Sequence, residues 1–214
     1  MAVVSLTGFA TEPGRLADHM AASMEALGHL RRLGQQAMLL QPISGGDIGT
    51  TSMVINYADN AAYAAGVQAI GADAQWQEFW ARASAAGAAS QVESTLMEDL
   101  DPGFQPAADR PLGALLAVQW RAKDGRLVDF LGKVAAAAPM IERMGGAVRT
   151  MQCLVGRYPM TTLVSTSFAD LDAYGAYADR TAADPEWQTF WAGALSDPTA
   201  DIVRSGVYLN ISGD

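Results

Sequence analysis

The sequence predicts an α+β protein in which two tandem β-α-β-β-α-β modules pack together as one barrel. Three observations lead there. Shifting the chain by 111 residues aligns 1–100 with 112–211 without a gap, and 27 of those 100 pairs are identical. The identities fall in blocks: Gly14-Arg15-Leu16 on Gly125-Arg126-Leu127, Thr50-Thr51 on Thr161-Thr162, and Trp76-Gln77 with Phe79-Trp80-Ala81 on Trp187-Gln188 with Phe190-Trp191-Ala192. Within each copy, short apolar runs alternate in the same order with stretches whose apolar residues recur at helical spacing. Two copies, unlike a many-copy solenoid, imply a fused pseudo-dimer. The expected division is a first module at 1–100, a Pro-containing linker at 101–111 and a second module at 112–214.

Each copy opens with an apolar run, 2–9 and 113–120, suited to a strand buried on at least one face. A first helix follows from Gly14 to Leu33, with Leu16, Met20, Met24, Leu27 and Leu30 on one side; the second copy uses Leu127, Leu131, Val134, Ile141 and Met144. Gly34 and Gly145 stand where a helix stop belongs. Residues 36–43 and 50–57 form a strand pair around Ser44-Gly45-Gly46-Asp47, and Gly156-Arg157-Tyr158-Pro159 serves as the second turn. The next helical stretch, 60–86, is expected to break in the middle. In the second copy Asp184-Pro185-Glu186 supplies a cap, a first-turn proline and an early acid, so a fresh helix starts there. Trp76, Phe79, Trp80 and Ala83, and likewise Trp187, Phe190, Trp191 and Ala194, share one helical face. Core packing of that face against the sheet is expected, with Trp76, Phe79, Trp187 and Phe190 mostly buried; a stacking platform for a flat ligand is the alternative. Strands at 90–98 and 201–209 close the modules.

Composition bounds the partners. With 23 acidic against 14 basic residues the net charge is −9, which disfavours nucleic acid and anionic membranes. The one cysteine, Cys153, excludes an internal disulfide and sits among apolar neighbours as a small buried hydrophobe. The first residues lack both a positive segment and a long apolar run, so neither signal peptide nor membrane span is expected, and a cytoplasmic location is.

The order β-α-β-β-α-β is the ferredoxin-like arrangement, a four-stranded antiparallel sheet with helices on one face. Two such modules resemble the dimeric α+β barrel superfamily, and Asp-Pro-Glu-Trp-Gln-x-Phe-Trp at 184–191 is similar to the second helix of NIPSNAP-like members. The resemblance implies sheets meeting face to face, helices outside, and room for a pocket between the sheet and helices of each module. It spans cofactor-free monooxygenases of polyketide pathways, haem-degrading oxygenases, chlorite dismutase-like enzymes, muconolactone isomerase-like enzymes and proteins without a known reaction, so the fold fixes no function. One-module members make the barrel as homodimers; here one chain suffices, and a monomeric pseudo-dimer or a homodimer is expected.

No residue set points to a metal or cofactor. His19 and His29 are ten apart, with no second histidine at ligand spacing and no cysteine cluster, and nucleotide-binding and hydrolase motifs are absent. His19 aligns with Phe130 on the sheet-facing side of the first helix, where it is the candidate general base of a pocket in the first module. An axial haem ligand is its other chemistry, but the resemblance puts the haem-degrading histidine at the end of the second helix, where this chain has Ala and Gly or Ser-Asp-Pro. Candidate ligand contacts are Asn56, Trp76, Trp80, Trp120, Tyr158, Gln41 and Gln152, the two glutamines also suiting a hydrogen bond across the junction of the copies. Trp120 and Tyr158 make the copies unequal, as a single retained pocket would require. Three readings follow: a cofactor-independent monooxygenase or isomerase/cyclase acting on a small aromatic or polyketide-like molecule, a non-catalytic ligand-binding or assembly protein of NIPSNAP-like type, and a haem-binding protein.

Overall fold

A computed structural model describes residues 1–46, 48–104 and 112–213. Asp47 of the first expected turn and residues 105–111 of the expected linker lie outside the described residues. The chain is a mixed α+β fold around an eight-stranded antiparallel barrel. In chain order the elements are β1 (Val3–Thr11), α1 (Leu16–Arg32), β2 (Gln36–Gly45), β3 (Thr50–Tyr57), α2 (Asn60–Ala72), α3 (Ala74–Ala86) and β4 (Ala89–Asp99). Then come β5 (Ala114–Ala122), α4 (Leu127–Arg143), β6 (Ala147–Val155), β7 (Thr162–Phe168), α5 (Leu171–Ala183), α6 (Pro185–Ser196) and β8 (Ala200–Asn210).

Around the barrel the strands run β1-β3-β2-β8-β5-β7-β6-β4 and back to β1. The first-half strands therefore stand in the order β4-β1-β3-β2 and the second-half strands in the order β8-β5-β7-β6. The halves join edge to edge, β2 on β8 and β4 on β6, both antiparallel. Closure leaves neither sheet an open edge, which removes the usual hazard of unpaired backbone groups.

The local signals explain the elements. After α1 and α4, Gly34 and Gly145 adopt φ of +76° and +98°. Their amides bond back to Arg31 and Glu142, and the next amides, of Gln35 and Gly146, reach Leu30 and Ile141. These are the two bonds of a Schellman stop, which an L side chain at positive φ would strain. Both long helical stretches break at an aspartate: Asp73 accepts from the Trp76 amide at 2.7 Å and Asp184 from the Trp187 amide at 2.8 Å. The same carboxylates meet Arg32 and Arg143 at the ends of α1 and α4, tying helix to helix. Asp184→Ala is therefore expected to cost about 1–2 kcal/mol, the range for losing a helix cap. Asp184→Asn, which keeps an accepting oxygen, should recover most of it in urea titrations of both variants.

Apolar residues sort into three packed groups. Leu27, Leu30, Leu39, Met53 and Phe79 fill the space between sheet and helices in the first half. Ala114, Ile141, Met144, Phe168 and Tyr177 do so in the second. Val4, Leu40, Val54, Met97, Met151 and Cys153 point into the barrel. One backbone irregularity aims side chains at two of these spaces. On β8 the register passes from Gln119↔Arg204 to Trp120↔Ile202, so Val203 is an extra residue. The bulge reverses the alternation, and Arg204 faces the barrel interior while Ile202 faces the helices.

Candidate functional site

Two cavities lie on opposite sides of the sheet. The first, of about 480 Å³, is between the second-half sheet and its helices. Its floor is Leu116, Val118 and Trp120 of β5 with Val164 and Thr166 of β7. Its roof is Phe130, Val134 and Ile141 of α4, Tyr177 of α5, and Trp187, Phe190 and Trp191 of α6. Six of the lining residues are aromatic, among a larger number of aliphatic ones. Trp120 lies 5.8 Å from Phe130, and Trp187 stacks on Trp191 at 5.9 Å with 12° between planes. Lys133 and Asp201 are the charged lining residues, and the Lys133 amine is held by the Asp197 carbonyl and carboxylate.

Two hydroxyls break the apolar wall. Tyr177 and Thr166 are both buried and both line the cavity, yet neither hydroxyl has a hydrogen-bond partner among the described residues. Burial, with Tyr174 adding to it, pushes the Tyr177 hydroxyl pKa up, so it stays a neutral donor at physiological pH. Neither hydroxyl oxygen is a fully buried orphan of the kind Thr11 Oγ1 and Gln152 Nε2 are, and both residues line the cavity.

The cavity exists because the second half is smaller where the first is full. Met53 and Ile55 of the first half correspond to Val164 and Thr166, Leu27 to Ala138, and Leu39 to Thr150. The sequence places its expected pocket in the first half, around His19. His19 is buried, its Nε2 is 2.8 Å from Thr51 Oγ1, and its ring lies 6.2 Å from Phe9. It lines neither cavity. Burial also lowers its pKa.

The second cavity, of about 560 Å³, is the barrel lumen. A belt of apolar residues is flanked by two arginine assemblies. Arg149 donates to both oxygens of Asp99 at 2.8 and 2.7 Å and to Asn56 Oδ1 at 2.7 Å, with its guanidinium 4.2 Å from the Phe104 ring centre. Arg204 donates to both oxygens of Glu93 at 2.6 and 2.7 Å and to Gln119 Oε1 at 2.6 Å. Gln119 passes its own amide protons to Thr161 Oγ1 and Cys153 Sγ. Burial pushes the Cys153 thiol up and leaves it unreactive. Glu93 and Arg204 occupy the same position under the 111-residue shift.

The other expected site residues are dispersed. Asn56 lines the lumen and Trp120 the outer cavity. Trp76 and Trp80 stack at 5.9 Å on α3 and line neither; Phe79 beside them is buried, Trp76, Trp187 and Phe190 are half-buried, and Trp80 and Trp191 are 40% and 37% exposed. Tyr158 sits on the β6–β7 turn, its ring 5.3 Å from the guanidinium carbons of Arg157 and Arg204. Gln41 and Gln152 stand on the seam strands, opposite Leu209 and Glu98. Among the described residues neither makes a side-chain hydrogen bond across the seam; Gln152 instead accepts from Thr162 of its own half at 3.4 Å, and its Nε2 is buried without a partner. Sequence reading passed over Tyr177, Arg149, Asp99, Glu93 and Arg204. The signal for the charged four was present, since Arg149 and Arg204 interrupt apolar strands.

No helix among the described residues is long and apolar enough to cross a membrane, and no group of three His, Cys, Asp or Glu suited to a metal occurs among them. No family model matches the chain, and no curated protein does. Solved structures do. A candidate monooxygenase from Fusobacterium nucleatum is 11% identical over 98% of this chain and 94% of its own, with a TM-score of 0.66. A candidate chlorite dismutase is 9% identical over 98% and 94%, at 0.61, and an anthrone oxidase-like protein is 12% identical over 100% and 94%, at 0.60. At such identities the likeness shows the fold alone: a mixed α+β chain closed around an eight-stranded antiparallel barrel.

Proposed function

We propose that the chain is a tandem duplication of a ferredoxin-like module, allied to the NIPSNAP-like proteins, whose second-half cavity binds a flat aromatic or polyketide-like molecule and oxygenates it without a cofactor. The duplication is supported by the gapless 111-residue shift and by identical strand order in the two halves. One chain closes the barrel by itself, which supports a monomeric pseudo-dimer as the functional unit, with a homodimer of such chains the other expected state. The observation that carries the binding reading is the pair of unpartnered hydroxyls, Tyr177 and Thr166, in an apolar cavity lined in part by aromatic rings. Ring faces hold a flat ligand and the hydroxyls orient its oxygen. A neutral Tyr177 donates to that oxygen, where negative charge develops as an activated ring C–H gives its proton to solvent water, which returns it to the peroxide formed after oxygen adds. The resulting carbanion reacts with dioxygen. With anthrone as substrate, one oxygen atom becomes the new ring carbonyl and the other leaves as water.

Non-catalytic binding is favoured by a different observation: no histidine lines the cavity, and Lys133 is already held by Asp197. Haem fits poorly. Of the residue types that usually hold haem iron, the lining offers Tyr177 alone, and its raised pKa opposes the phenolate that ligation needs. Titrating anthrone under air separates the readings. Quenching of Trp120, Trp187 and Trp191 together with oxygen uptake is expected, and Tyr177→Phe should weaken binding about three- to tenfold, one hydrogen bond's worth. Quenching without oxygen uptake leaves the binding protein, and absence of both removes the flat aromatic class.

A further inference from the structure

The lumen is a second site with a chemistry of its own, separated from the outer cavity by the thickness of the sheet. Barrels of this size are normally filled by their inward side chains. Here Val4, Leu6, Leu40, Met97, Met151 and Leu163 surround space instead. Asp99 and Glu93, which mark the two arginine assemblies, are six residues apart on β4. That is roughly 20 Å along the strand and about 15 Å along the axis for an ordinary strand tilt.

The two ends differ in charge. At one, Glu93 and Arg204 are the charged lining residues and cancel. At the other, Arg149 is neutralised by Asp99 behind it, but Arg31 also lines the rim, so among the described residues this mouth carries one net positive charge in a chain of net charge −9. Arg31 is exposed, and its nearest acceptor is the Gly213 carbonyl at 3.5 Å, too long for a strong bond. Arg149 is held still by Asp99, Asn56 and Phe104, with a side chain only 14% exposed. Those contacts use three of its five N–H groups, and the other two have no acceptor among the described residues. A fixed guanidinium with spare donors and an exposed one lining the same cavity above an apolar shaft make a receptor for an anion with an apolar body.

We propose that the lumen binds an apolar monocarboxylic acid, its carboxylate at the mouth between Arg31 and Arg149 and its apolar body along the shaft toward Gln119. The ligand replaces no existing ion pair. Asp99 keeps its bidentate hold on Arg149, and the extra positive charge of Arg31 matches the extra negative charge of the ligand.

Decanoate and its neutral analogue decanol are the probes, added to the full chain and followed by titration calorimetry and native mass spectrometry. One decanoate per chain is expected, with little change in tryptophan emission, because no tryptophan lines the lumen and three line the outer cavity. The pair Val164→Met and Thr166→Ile, which fills the outer cavity, should leave decanoate binding intact. Ala117→Leu, which fills the lumen between β5 and β7, should weaken it at least about tenfold, as loss of a snug apolar fit does. Arg31→Ala, on the surface of α1 and harmless to folding, should weaken decanoate about tenfold through one lost charge-assisted bond and leave decanol unchanged. The proposal is overturned if no complex forms, if the outer-cavity pair abolishes it, or if Arg31→Ala affects decanoate and decanol alike.

Discussion

Glu93→Arg is expected to destabilise the chain by about 3–5 kcal/mol, the usual cost of leaving a buried charge without its partner, and adding Arg204→Glu to it should restore part of that loss. Glu93 and Arg204 are related by the same 111-residue shift that relates the two halves, yet they carry opposite charges and bind each other. A homodimer of one module cannot do this, because its equivalent positions hold the same residue. The exchange re-forms the ion pair with its ends swapped. Recovery is partial because the supports are not exchanged: Arg204 also has Gln119, whereas position 93 faces Gly8. Chemical denaturation of the two single variants and the double variant measures the coupling directly. A double variant no more stable than either single one would mean that the pair contributes nothing as a pair.

The same contact sets a pH dependence. Burial pushes the Glu93 carboxyl up, but the hydrogen bonds and charge of Arg204 outweigh burial and leave its pKa below the ordinary value. A folded-state pKa below the unfolded one adds stability above the unfolded value and loses it as pH falls through the folded one. The wild type should therefore lose stability from about pH 4.5 downward, and Glu93→Gln should flatten that acid limb while lowering stability at neutral pH.

How legible this was in the sequence depends on what kind of signal each feature leaves. Helix breaks leave chemical marks: Asp73 and Asp184 cap, Gly34 and Gly145 turn, and both were readable at once. The repeated Trp-Gln-x-Phe-Trp block predicts buried faces on α3 and α6; Phe79 is buried, whereas Trp76, Trp187 and Phe190 are half-buried. The sequence points to His19 rather than to the outer cavity because reactivity leaves a plainer mark than volume. His19 stood out as a titratable group on a buried face, and the structure spends it on a hydrogen bond to Thr51 inside a filled core. A cavity is an absence, and its trace in sequence is a set of modest reductions, Met53 to Val164 and Ile55 to Thr166, each unremarked alone. The lumen was invisible for a related reason: inward polar residues such as Arg149 and Asn56 meet only after β4 and β6 join the halves.

Those reductions define the sharpest test of the outer cavity. Val164→Met with Thr166→Ile gives the second half the first half's residues at two floor positions and is expected to weaken an aromatic ligand at least about a hundredfold, near 3 kcal/mol. The first half shows that the larger pair fits: Met53 is buried in a packed core and Ile55 lies against it. Filling apolar space with methylenes should hold or raise stability, since each buried CH₂ contributes about 0.8 kcal/mol when no strain follows. Loss of binding thus arrives without loss of fold, which separates it from a merely damaged protein. Removing Thr166 also deletes one of the two orienting hydroxyls, so Thr166→Val alone isolates that part and should cost about three- to tenfold. Tryptophan quenching titrations with anthrone, alongside thermal melts of each variant, read both quantities. Unchanged affinity in the filled double variant would place the ligand elsewhere, with the barrel lumen the next space to probe.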